Sequence, residues 1–134
     1  MTLFGKWKLP FVAAGAGMFV YLAAAGMVAT AGRAENTVSG KELFEERCGG
    51  CHALDRDKEG PRLHGVYGRT AGAVDSFPYS DALKKSKIVW AEDTLDRWLT
   101  NTDDVVPNND MTFHVEKSDE RQAIIAFLKQ DSGK

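Results

Sequence analysis

Two cysteines and one histidine constrain this chain more than anything else in it. Cys48 and Cys51 are its only cysteines, and His52 follows the second directly. Two thiols three positions apart with an imidazole next door is the spacing that attaches haem c. Each sulfur can form a thioether to one vinyl group, which leaves the histidine under the iron. A chain that wraps a covalent haem must place loops and helices around a flat apolar disc. That requirement limits the fold before any periodicity is read.

Three other readings of the pair stand beside this one. A thioredoxin-like redox pair sits on a strand-helix-strand background, which is not apparent here. A structural zinc site needs two more ligands, and His64 and His114 are isolated and far apart. A simple disulfide stays open.

The 134 residues suffice for one small domain. Lys6 and Lys8 precede a run from Leu9 to Gly32 with no charged residue, closed by Arg33. A basic start, an apolar middle and small residues near the end read as an export signal over 1–34. The same 24-residue run is long enough to span a bilayer, with the lysines on the cytoplasmic side. Residues 1–34 are therefore expected to be either a cleaved signal or a membrane anchor, the latter formed by residues 9–32. Either way, residues 35–134 form a haem domain in an exported, periplasmic compartment, where haem c is attached in bacteria.

That domain carries 14 Lys/Arg against 19 Asp/Glu. The acidic balance disfavours nucleic acid, which needs a basic patch. A domain of roughly 100 residues buries a limited core, and a covalent haem would supply much of the missing apolar surface.

Ser39 reads as a helix N-cap, with Glu42 completing a capping box. Leu43, Phe44, Arg47, Cys48 and Cys51 follow at helical spacing and run the first helix into the attachment site. Residues 53–72 read as irregular chain, rich in glycine. Phe77 to Ser80 reads as a turn into a short helix over 81–85. A further helix spans 92–101, with Leu95, Trp98 and Leu99 as its apolar stripe. Residues 102–114 read as a loop. Ser118 is expected to cap the last helix, whose stripe is Ile124, Phe127 and Leu128, joined by Ile125. No strand is convincing, so the fold class is all-α.

Met1, Met18 and Met27 lie in the N-terminal segment, which leaves Met111 as the one methionine of the haem domain. A thioether is a soft iron ligand, and a His/Met pair raises the haem potential. It also fills both axial sites, so the iron is closed to substrates. The ordinary role of an isolated methionine is core filling; the polar neighbours of Met111 favour ligation instead. His64 and His114 are the rival ligands.

These residues resemble the class I c-type cytochromes, of the mitochondrial type and its bacterial relatives. The resemblance runs from about Ser39 to Lys129. Gly40 and Phe44 stand before the haem motif, and Gly60 to Gly72 follow it. Phe77 to Ala82, Trp90, Leu95, Leu99, Pro107, Met111-Thr112-Phe113 and Ile124 to Lys129 come after in family order. It implies the cytochrome c fold, three main helices and loops around one covalently bound haem.

It also implies roles for single residues. The Pro61 carbonyl would accept from His52 Nδ1–H. Arg69, Tyr79 and Trp90 would surround the haem propionates. Gly40 and Phe44 would meet the last helix near Phe127 and Leu128, and Phe113 would lie near the exposed haem edge. The implied function is a one-electron carrier in a respiratory or photosynthetic chain, not an enzyme. Its partners would be a quinol-oxidising complex and a terminal oxidase or similar acceptor. Other readings are an open-site haem peroxidase or gas binder, and a fixed haem subunit of a larger membrane complex. The chain departs from the family in two places: Asn108-Asn109-Asp110 replaces the usual Gly-Thr-Lys before the methionine, and Trp98 stands where a tyrosine is common.

Overall fold

The computed structural model describes residues 38–133. The signal-or-anchor reading of residues 1–34 therefore lies outside the described residues. Among those described, no helix is long and apolar enough to cross a membrane.

Five helices follow one another along the chain: α1 Gly40–Arg47, α2 Asp81–Ser86, α3 Glu92–Thr100, α4 Thr102–Val105 and α5 Ser118–Ser132. Among the described residues the only strand-like pairing is an isolated bridge between Thr70 and Val89. The architecture is the all-α one expected.

α1 starts as its capping box dictates. The Ser39 hydroxyl accepts from Glu42 N–H at 3.2 Å, and the Glu42 carboxylate accepts from Ser39 N–H at 2.9 Å. Two of the four orphan donors at this helix start are thereby satisfied. α1 stops at Arg47, earlier than the sequence suggests, with Cys48 as its C-cap. Cys51 and His52 then lie on a turn in which both backbone N–H groups donate to the Cys48 carbonyl, at 3.1 and 2.8 Å.

α2 is capped by Ser80, whose hydroxyl accepts from Leu83 N–H. In α3, Glu92 and Asp93 in the first turn and Arg97 in the last complement the helix dipole. Its stripe of Leu95, Trp98 and Leu99 is buried as expected.

Two further expectations are corrected. Residues 102–114 do not begin as a loop. Asn101 ends α3 and starts α4, its side chain accepting from Asp103 N–H at 3.1 Å. Four residues are too few for a periodic pattern to show. Nor does Ser118 cap α5: it is the first helical residue, and Lys117 occupies the cap position without a side-chain bond. Long side chains fix this terminus instead. Arg121 donates to the Val115 and Glu116 carbonyls, both at 2.9 Å, and Lys117 pairs with Glu120 at 3.0 Å.

The core joins α1, α3 and α5. Ile124 is fully buried, and Ile125, Leu128, Leu43, Phe44, Leu95, Trp98 and Leu99 surround it. Full burial of such a side chain stabilises by about 1.5–3 kcal/mol. α1 and α5 approach closely because Gly40 has no side chain: a Cβ there would collide with the Ala123 carbonyl and lie 3.1 Å from Phe127 Cβ. The Phe44 and Phe127 rings pack beside it, centroids 5.3 Å apart. Arg121 Nε to Asp96 at 2.7 Å ties α5 to α3.

Candidate functional site: an apolar cavity with the thiol pair on its wall

The helices and loops enclose a cavity of about 480 Å³. This lies in the usual range for cofactor pockets, about 300–1,000 Å³. Cys48, Cys51, His52 and Pro61 line one stretch of its wall; Asn109 to Phe113 line another, far away in sequence. Leu63, Val66, Leu83, Leu95, Leu99, Ile124 and Leu128 supply apolar surface. The exposed lining residues Arg47, Cys51, Glu59, Asp110, Thr112 and Phe113 mark where the cavity meets solvent.

The attachment segment is held by backbone lacing. Gly60 N–H donates to the Cys51 carbonyl at 2.8 Å, Leu63 N–H to Ala53 and His64 N–H to Leu54, both at 2.9 Å. Lys58 Nζ donates to the carbonyls of Gly49 and Gly50, the two residues between the cysteines. This lacing sets the Pro61 carbonyl 2.8 Å from His52 Nδ1. A carbonyl only accepts, so Nδ1 carries the hydrogen and Nε2 keeps its lone pair. The expected Pro61–His52 bond is thus present. Burial is the main influence on the His52 ring and pushes its pKa down; the Pro61 bond acts against this, and Lys58 adds to it. Burial likewise drives the Cys48 thiol up to about 11, helped by Cys51 nearby.

Gly60 admits this arrangement. A Cβ on it would run into the His52 ring. The other expected glycines, Gly65, Gly68 and Gly72, all have positive φ, so the glycine-rich stretch is used mainly for backbone angles.

Arg69, Tyr79 and Trp90 come together on the cavity wall. Backbone joins the Arg69 and Trp90 segments: Gly68 N–H donates to the Trp90 carbonyl at 2.7 Å and Trp90 N–H to the Arg69 carbonyl at 2.9 Å. The Arg69 guanidinium also staples its own loop, donating to the His64 and Arg62 carbonyls at 2.9 Å each. Burial pulls its pKa below the ordinary arginine value, with Tyr79 opposing. Burial raises the Tyr79 phenol, and Arg69 opposes that. Trp90 and Trp98 pack with centroids 5.2 Å apart.

Met111 lines the cavity too, half-buried. The rival histidines do not. His64 Nδ1 lies 2.8 Å from a carboxylate oxygen of the buried Asp131. His114 is exposed near Glu116 and lines only a separate shallow pocket. Among the described residues, no group of three His, Cys, Asp or Glu side chains is arranged to hold a metal ion.

The cavity fits a haem c. Its lining is apolar, the buried Cys48 and the exposed Cys51 both reach it, and a bare glycine leaves room for the imidazole ring. Sequence reasoning missed Lys58, whose link to the attachment turn depends on the chain path. It also missed the side chains that hold the Met111 segment.

An all-α domain built around such a cavity, with C-x-x-C-H on its wall, defines a class I haem c protein. A model of the cytochrome c family matches residues 37–132. Cytochrome c 2.1 of Caenorhabditis elegans is 41% identical over 98 residues, 71% of this chain and 88% of that protein. Cytochrome c of Euglena viridis is 42% identical over 93 residues, 67% of this chain and 91% of that protein. Among solved structures, cytochrome cH from Methylobacterium extorquens superposes with a TM-score of 0.64 at 35% identity, covering 68% of this chain and 94% of that one. The chain belongs to the cytochrome c family. As a member it carries one haem c, attached covalently through Cys48 and Cys51, and is an electron carrier.

Proposed function

We propose that the protein is a one-electron carrier with His52 and Met111 as axial iron ligands, working between a quinol-oxidising complex and a terminal oxidase or similar acceptor. The observation that carries this is the composition of the cavity wall. His52 offers an imidazole whose tautomer is set by Pro61, and Met111, from a distant loop, offers the one thioether there. When bound, the haem supplies an iron that alternates between two oxidation states one electron apart.

The chain's own residues do the rest. The apolar wall excludes water and so keeps the local dielectric low. Arg69, Tyr79 and Trp90 offer a positive charge and donors to the propionates. Phe113 is 37% exposed at the cavity mouth and would lie beside the haem edge that faces partners. We place this domain in the periplasm, either free after cleavage of residues 1–34 or tethered by residues 9–32. A tether would confine its search for partners to a surface.

The methionine–iron charge-transfer band of the ferric protein tests the ligand set. It should be present near neutral pH and abolished in Met111→Ala, with a fall in potential. Absence of the band in the unaltered protein, with ready cyanide binding, overturns the reading. Masses of the protein isolated from membrane and soluble fractions distinguish anchor from signal.

A further inference from the structure

We propose that Thr102 and Asn109 are positioning residues that clamp Met111 from both sides and so hold its sulfur at the iron; this rests on the ligand reading above. The Met111 segment needs a clamp. Val106 N–H donates to the Thr102 carbonyl at 2.9 Å, and the next backbone tie is Val115 N–H to the Leu99 carbonyl at 2.7 Å. Among the described residues, no backbone–backbone hydrogen bond is made by residues 107–114 between them. A segment held only at its ends opens easily.

Side chains supply what the backbone lacks. Thr102 Oγ donates to the Met111 carbonyl at 2.6 Å, and Asn109 Oδ1 accepts from Met111 N–H at 2.8 Å. Both peptide groups of one residue are thus satisfied by side chains. Thr102 is buried, 4% exposed, so its hydroxyl has no ready water to exchange for this partner. Asn109 is itself fixed: its Nδ2 donates to the Val106 carbonyl at 2.9 Å and to Asp103 Oδ1 at 3.2 Å. A flipped amide would set its oxygen against two acceptors and its NH₂ against a donor. The network therefore permits one orientation. Asp103 and Thr102 belong to α4, which packs on α3, so the clamp transmits the rigidity of the core to the loop.

Each hydrogen bond to a peptide group of the half-buried Met111 is worth enough to change a local opening equilibrium by up to about ten-fold. The test is the rate at which added imidazole displaces the methionine from the ferric protein, followed through the charge-transfer band. Thr102→Val keeps the shape and removes the hydroxyl; Asn109→Ala removes the other half. Each should speed displacement about ten-fold. Thr102→Ser keeps the donor and should stay within about three-fold of the unaltered protein. If T102V does not accumulate as folded holoprotein, N109A carries the comparison. Displacement at the unaltered rate in N109A and in any T102V obtained, with the band intact in the parent, overturns the clamp and leaves methionine ligation standing. A parent without the band overturns the ligation reading and the clamp with it.

Discussion

Phe127 of α5 lies on Phe44 of α1, ring centroids 5.3 Å apart and planes inclined at 44°. Beside them the Gly40 backbone runs against the Ala123 carbonyl. The contact joins the first and last helices, between which lies most of the cavity-forming chain. Phe127→Ala should cost about 2–4 kcal/mol, toward the low side of a buried Phe deletion because the ring is only half-buried. Gly40→Ala forces the helices apart and should destabilise as well, although it adds helix propensity. Guanidinium unfolding of the holoprotein checks both; an unchanged midpoint for G40A contradicts the close approach.

Gly60→Ala drives a methyl group into the His52 imidazole. The expected result is a low yield of correctly liganded holoprotein, with a ferric spectrum altered at the His52 side. A G60A protein with wild-type yield and spectrum would show that the ring has room to move.

Asp57 gathers the loop after the attachment site. Its carboxylate accepts from Ser76 Oγ at 2.6 Å and from Arg62 N–H at 2.9 Å, with Arg62 Nη1 at 3.6 Å. The Ser76 bond first, then the Arg62 N–H, hold its pKa below the ordinary value. Unfolded, the group titrates at about 3.9. Its contribution to stability is therefore complete above that value and is lost as pH falls through the lower folded value. Asp57→Asn should be less stable than the parent at neutral pH and converge with it in strong acid. Urea unfolding across pH checks this; a constant gap rules out the linkage.

His64 is occupied by Asp131 and His114 faces solvent. Replacing either by glutamine should leave the ferric charge-transfer band in place. His64→Gln should cost about 1–3 kcal/mol of stability, the scale of a buried acceptor deprived of its partner, because Asp131 is only 8% exposed. Loss of the band in either variant would move the ligand assignment.

Much of this was legible without coordinates. Ser39 and Glu42, Leu95 with Trp98 and Leu99, and Ile124 with Leu128 act within one or two turns, so spacing alone places them. Cys48, Cys51 and His52 are likewise neighbours, and their joint chemistry follows from adjacency. α4 was too short to show a period. Ser118 reads as a cap because hydroxyls often serve as caps, yet Arg121 and the Lys117–Glu120 pair fix that terminus.

The sequence by itself thus determined the cofactor, the helical class and the identity of the one thioether in the haem domain. Those properties depend on residue type and short-range order. The tertiary structure alone decided that Pro61 meets His52, that Lys58 secures the attachment turn, that His64 is spent on Asp131, and that Thr102 and Asn109 close on Met111. Most of these are hydrogen bonds to backbone groups, which every residue carries alike. Only the path of the folded chain says which of them a side chain will find.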